Sequence, residues 1–301
     1  MLGALIAHKL GVPLTATWQT NLHQYARSRL APALAWLPRA WSAEVLDGAE
    51  RWALRGAMRF YRIPRLLFAP NPEIVALLEQ RTGKPCVLMS HSVDTEVFSP
   101  QFRDRQSGPF TIGYVGRLTP EKNVRRLAQL EQALRDRGHN DFRFVIVGDG
   151  GERQWLQQTM RHAEFTGVLT RNSLSRAFAN MDLFVFPSET DTFGLAVLEA
   201  LASRIPVVVT AAGGPKYTVQ HGRTGYVAGD FDEFVAFTEQ LLTDPGLAAA
   251  MGAAGREYAL ATCWEQIFDD MYKSYERCFR ADGVRHGVFE PHEFGTLKRL
   301  G

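Results

Sequence analysis

The chain has 301 residues, 46% hydrophobic and 22% charged, with a formal net charge of +2. That is enough material for two domains with ordinary cores; it excludes a disordered chain, and the near balance of charge removes global attraction to nucleic acid. Three cysteines, odd in number and widely spaced, read as reduced thiols of a cytoplasmic protein, and no apolar run approaches the roughly 20 residues that span a bilayer.

The first hundred residues predict half of an α/β domain. "LGALIAHKLGVPLTATW" reads as a helix, a Gly turn and a strand over Val12–Thr17. "MLGALIA" lacks the basic lead and the cleavage site of a signal peptide. Helices follow at about 21–35 and 42–61. "RLLFAP" is a strand, Asn71 caps a helix over Pro72–Gln80, "PCVLMS" is a strand and "HSVDTEVFSP" is a linker. Between Met1 and Pro70 nine Lys and Arg face three acids, and four of the six Trp (Trp18, Trp36, Trp41 and Trp52) lie in the same stretch. Basic residues with Trp suit an anionic membrane surface, although Trp on a helix is more often core.

From Phe110 the pattern is regular. Strands are predicted at 110–116, 142–150, 164–168, 183–188, 205–211 and 224–229. Helices lie between them, the first from Glu121 to about Arg137 and another over Asn172–Ala179. Apolar strands without alternation, each followed by an amphipathic helix, give a parallel sheet covered on both faces and a doubly wound, nucleotide-binding topology. Helices at about 231–242, 245–258 and 263–279 close the chain, and the tail after Arg280 reads as loose.

Ligands of such sheets bind beyond the carboxyl ends of the strands. The first of these ends carries "GRLTPEKN": Gly116 permits close backbone approach, and Arg117 and Lys122 together suit a diphosphate, although an isolated cation pair is more often solvated surface. Gly148 opens the next loop. "SETDTFGLAVLEA" (188–200) follows the fourth apolar strand, with a helix expected from about Phe193. The amides of Phe193, Gly194 and Leu195 would then face an anion, with Asp191 or Thr192 as a cap. Glu199 would lie about one and a half turns in, roughly 8 Å along the axis, placed for a ribose while Asp191 meets a sugar. "AAGGPKYTV" reads as a second helix start or as a plain connection.

In order and combination, "GYVGRLTPEKN", "VIVGDG", "DTFGLAVLEALAS" and "GGPKYTVQHGRTGYV" resemble family 4 retaining glycosyltransferases, from about Leu2 to Phe279. The "DTFG" form is similar to that of lipid-directed members such as sulfoquinovosyl-diacylglycerol synthases and phosphatidylinositol mannosyltransferases. The resemblance implies an α/β GT-B fold of two Rossmann-like domains: a partial acceptor-side domain over 1–100, a nucleotide-sugar domain over 101–265, and a closing helix and tail over 266–301. It assigns Arg117 and Lys122 to the leaving diphosphate and Asp191 to the donor sugar. Glu199 falls on the ribose, Phe193 to Leu195 on phosphate and Val168 beside the base. The donor is a UDP- or GDP-sugar, with neither cofactor nor metal, and the acceptor a lipid or glycan. The protein is expected in the cytoplasm, peripheral on the inner face of the cell membrane.

The same resemblance marks departures. The family's first strand and Gly-rich loop have no counterpart ahead of Met1, which reads as a truncated start. On the acceptor side, "TWQT" places Gln19, before Thr20, where the family carries His, and an amide does not exchange protons near neutral pH. A glycosyltransferase is therefore one reading, and a donor-binding remnant or a subunit completed by a partner chain is the other.

Overall fold

The computed structural model describes residues 2–280 except 22, 24–26, 28, 29, 31, 35, 37 and 161. The helix expected at 21–35 falls mainly outside these residues, and the tail after Arg280 falls wholly outside them.

Helix α1 (Leu2–Leu10) leads into β1 (Thr15–Thr17), followed by the long helix α2 (Arg39–Tyr61), β2 (Leu66–Ala69), α3 (Pro72–Thr82) and β3 (Cys86–Leu88). The three strands form a parallel sheet in the order β1-β2-β3. Trp18, Met58, Leu67, Ile74 and Leu78 fill the core between this sheet and its helices. Local signals set α3: Asn71 accepts a hydrogen bond from the Ile74 amide, Pro72 takes the first helical position, and Gly83 ends the helix with φ 69°.

The second unit is a six-stranded parallel sheet in the order β6-β5-β4-β7-β8-β9. Its strands are β4 (Phe110–Val115), β5 (Phe142–Val147), β6 (Ala163–Gly167), β7 (Leu183–Phe186), β8 (Val207–Thr210) and β9 (Gly225–Ala228). The covering helices are α4 (Arg125–Asp136), α5 (Arg153–Thr159), α6 (Arg171–Ala179), α7 (Leu195–Ala202), α8 (Phe231–Thr243) and α9 (Pro245–Ala261). Counted from β4, this is the 3-2-1-4-5-6 order of a dinucleotide-type fold, which places a crevice at the switch between β4 and β7. Every residue of β7 is buried, as a strand covered on both faces requires. The final helix α10 (Trp264–Arg280) returns to the first unit, where the Tyr275 ring meets Phe68 edge-on at 5.4 Å.

Two expected helix starts are corrected. The stretch from Glu121 is a 3-10 turn over Pro120–Lys122, broken by Asn123 at φ 52°, and the helix begins at Arg125. "GGPKYTV" leads to a 3-10 turn over Pro215–Tyr217 and not to an α-helix.

The loops after β4 and β5 are zipped together: the Leu118 amide donates to the Asp149 carbonyl, and the Glu152 amide to the Leu118 carbonyl. Gly148 has φ 133°, and a Cβ there would lie 1.9 Å from the Gly116 carbonyl oxygen. Gly148→Ala is therefore expected to destabilise the protein by more than about 3 kcal/mol in chemical denaturation. A loss below about 1 kcal/mol would show that the two loops separate without cost.

Candidate functional site

The loops at the carboxyl ends of β4 and β7 meet through one ion pair. Lys122, 7% exposed on its 3-10 turn, places Nζ 2.5 Å from Asp191 Oδ1. Asp191 Oδ2 is buried with no protein hydrogen-bond partner. Sequence reasoning assigned these groups to different parts of a ligand; the structure pairs them directly. Around them, the Thr190 hydroxyl donates to the Glu121 carbonyl at 2.9 Å, and Arg117 stands 3.6 Å from the buried Glu121 carboxylate with its own side chain 48% exposed. The Tyr114 hydroxyl, buried in the sheet, donates to the Arg117 carbonyl, and burial pushes its pKa above the ordinary value.

Helix α7 begins at Leu195, two residues later than expected. Gly194 precedes it with φ 87°, its carbonyl accepting from the Val197 amide, and Phe193 lies buried before it. Glu199 is thus one turn from the first helical residue, not one and a half turns from a start at Phe193. A Cβ on Gly214 would lie 1.9 Å from the Thr192 carbonyl oxygen, and the Gly214 amide donates to the Asp191 carbonyl at 2.7 Å. The Gly-Gly-Pro turn is thereby a backbone floor under the "DTFG" loop. Val168 stands 80% exposed just past β6.

The first unit grips the same loop. Asn71 Nδ2 donates to the Thr192 carbonyl at 2.7 Å, and Asn21 Nδ2 to the Thr190 carbonyl at 3.3 Å. The Thr192 hydroxyl donates to the Gln19 carbonyl at 2.8 Å, which seats Gln19 and the exposed Thr20 beside the crevice. Gln19 Oε1 lies 3.1 Å from His91 Nε2, and the His91 ring packs against Phe193 with centroids 4.7 Å apart. Burial lowers the pKa of this imidazole.

Arg117, Lys122, Asp191, Thr192, Phe193, Gly194 and Gln19 are therefore brought to one crevice, with Gly116 and Gly148 in its adjoining loops. Sequence reasoning missed His91 and Asn21, and saw in Asn71 only a helix cap. Each acts through a partner distant in the chain, which no local pattern announces. Among the described residues, no group of three His, Cys, Asp or Glu is placed to hold a metal, and no helix is long and apolar enough to cross a membrane.

Glu199 is the electrostatic exception. Burial pushes its carboxyl up to about 7, against a smaller opposing pull from Arg171. The folded state holds this proton up to about pH 7, whereas the unfolded chain releases it near 4.5. Within that window the folded state binds more protons, so stability falls as pH rises. Urea denaturation at pH 5 and pH 8 is expected to show Glu199→Gln more stable than the parent at pH 8 by up to about 3 kcal/mol, with the difference shrinking at pH 5. Equal stabilities at pH 8 would show that Glu199 is solvated.

Residues 97–258 match the sequence profile of the family described as "Glycosyl transferases group 1". The GDP-mannose-dependent alpha-mannosyltransferase of Mycolicibacterium smegmatis is 35% identical over 91% of this chain and 69% of its own length. The sulfoquinovosyl transferase SQD2 of Arabidopsis thaliana is 31% identical over 85% of this chain and 50% of its own length. Among solved structures, sucrose-phosphate synthase from Thermosynechococcus elongatus superposes with a TM-score of 0.72 at 20% identity, covering 93% of this chain and 72% of that one. HepE of Anabaena, solved with UDP and glucose, gives 0.68 at 18% identity over 91% and 74%. These two likenesses are of fold.

Proposed function

The chain belongs to the group 1 glycosyl transferases, and from that premise we propose that its crevice binds a nucleoside-diphosphate sugar and transfers the sugar to an acceptor hydroxyl with retention. The observation that carries the reading is the meeting of Arg117, Lys122 and Asp191 with the start of α7 at the β4/β7 switch. A diphosphate seated there shares Lys122 with Asp191 and is met by Arg117 and the first amides of α7. The charge that develops on the leaving group is thereby stabilised by fixed donors, and no metal or cofactor is assigned a role. Asp191, with one carboxylate oxygen unpartnered, is oriented by Lys122 toward the sugar.

Glu199 fits a ribose. Its charge is costly while it is half-buried with only the smaller pull of Arg171 in its favour, and vicinal hydroxyls supply hydrogen bonds that offset the cost. The GDP-mannose-dependent relatives favour a GDP-sugar, and GDP-mannose first, over a UDP-sugar. Gln19 holds the acceptor side of the crevice as a fixed amide, and not as a proton carrier.

The acceptor is proposed to be a lipid or a lipid-linked glycan met at the inner face of the membrane. Of the four Trp in the first unit only Trp18 is core; Trp36, Trp41 and Trp52 are more than two-thirds exposed. A basic surface carrying exposed Trp favours an anionic interface. The second reading, binding without turnover, is favoured by Gln19, which has no exchangeable proton to offer; release of mannose from labelled GDP-mannose separates the two.

Calorimetric titration with GDP, UDP and ADP is expected to rank GDP first. Lys122→Ala and Arg117→Ala should each weaken GDP binding about tenfold or more, the loss of one charge-assisted contact to phosphate. Unchanged affinity in both variants would remove the diphosphate assignment. Glu199→Gln should weaken GDP and leave binding of free mannose unaltered.

A further inference from the structure

A second cationic site lies away from the crevice. Arg51, Arg55, Arg59, Arg62 and Arg81 line a groove of about 600 Å³ between α2 and the end of α3, with Leu54 and Met58 also in its lining. All five arginines are exposed, and among the described residues none is in an ion pair. Their contacts within the protein add no negative group: Arg55 Nε donates to the Arg51 carbonyl at 3.3 Å, and Arg62 donates to the Arg81 carbonyl at 3.1 Å. Elsewhere arginines of this chain are paired with carboxylates, as Arg103 and Arg105 are with Asp182 and Arg125 is with Glu152. Five neighbouring guanidiniums around one groove repel one another and call for a polyanion.

The position excludes the reacting acceptor. Asn71 caps the crevice end of α3, whereas Arg81 lies in its last turn, about 15 Å further along the axis. Along α2, a rotation of about 100° per residue puts Trp41, Val45, Trp52, Arg55 and Arg59 on one side of the helix. Trp41, Val45 and Trp52 are exposed by 71%, 49% and 75%. Aromatic and apolar side chains thus run directly into the arginine groove on one continuous face. A free phosphate has no use for them; a phosphate at a bilayer surface does.

Resting on the membrane-facing reading above, we propose that this groove binds the terminal phosphate of a phosphomonoester lipid, a second lipid distinct from the acceptor. A monoester phosphate carries close to two negative charges and three acceptor oxygens, so several arginine forks can share it. A diester or serine headgroup offers a single net charge and satisfies fewer of the five.

The test uses the full chain and phosphatidylcholine vesicles containing either phosphatidic acid or phosphatidylserine at matched surface potential. The expected result is about tenfold tighter partition onto phosphatidic acid, the equivalent of one further charge-assisted hydrogen bond. In the Arg55→Lys/Arg59→Lys double variant charge is kept and the forks are lost: partition onto phosphatidylserine should hold and the preference should vanish. Equal partition of the parent protein onto both vesicles, or a preference that survives in the variant, would overturn the proposal. Binding of soluble glycerol 3-phosphate without vesicles as tight as partition onto phosphatidic acid would assign the groove to a free phosphate and overturn the lipid. GDP affinity, read on the same samples, should be unaltered in the double variant, so failure at the groove and failure of the nucleotide-sugar reading give different results.

Discussion

The arrangement depends on one partly buried ion pair. Two charges removed from water are stable only as partners, and removing either leaves the other without compensation. Lys122 comes from a 3-10 turn after β4 and Asp191 from the loop after β7, so their 2.5 Å contact sets the spacing of the two loops at the topological switch. The strands bring those loops within reach, and the pair sets their final approach. The same pairing leaves one Asp191 oxygen buried and unpartnered, a group with an unmet need for a donor.

A second constraint comes from the backbone of residues 190–192. A loop packed between two units cannot leave its carbonyls bare. Here Asn21 supplies a donor to Thr190, the Gly214 amide to Asp191 and Asn71 to Thr192. Both units and the Gly-Gly-Pro turn thus hold three successive carbonyls. Asn71 serves twice, its oxygen capping α3 and its amide nitrogen reaching the Thr192 carbonyl. Helix α3 is consequently registered against the crevice at its first turn, while its last turn contributes Arg81 to the arginine groove.

The sheet was legible because buried parallel strands write apolar runs, and β4 to β9 fall where those runs lie. The cap at Asn71 was legible because it is local. Boundaries failed where backbone chemistry competes with pattern. Asn123 in the left-handed region separates the 3-10 turn from α4, and Gly194, also left-handed, delays the start of α7, yet both lie inside stretches whose side chains read as helical. His91 and Asn21 were invisible for a different reason. Their partners, Gln19 and Thr190, are 72 and 169 residues away, and a lone polar residue, in a linker or at an expected helix start, carries no trace of such a contact. The Lys122–Asp191 pair could not be read from spacing either, because only the folded sheet makes the two loops neighbours.

Glu199 and the five arginines share a logic that separates binding surface from scaffold. Each holds charge in an arrangement that the protein alone does not satisfy: Glu199 through burial against its own ionisation, the arginines through crowding without acids. In structural ion pairs such as Arg125 with Glu152, the partner is present and the charge is satisfied within the fold. A surface selected for stability alone would replace Glu199 by an amide and place an acid among the arginines, since either change relieves the protein by itself. Neither relief is present, which is the feature that both proposals rest on. The proposed partners differ accordingly: hydroxyls for the carboxylate at the crevice, and phosphate for the guanidiniums about 15 Å along α3.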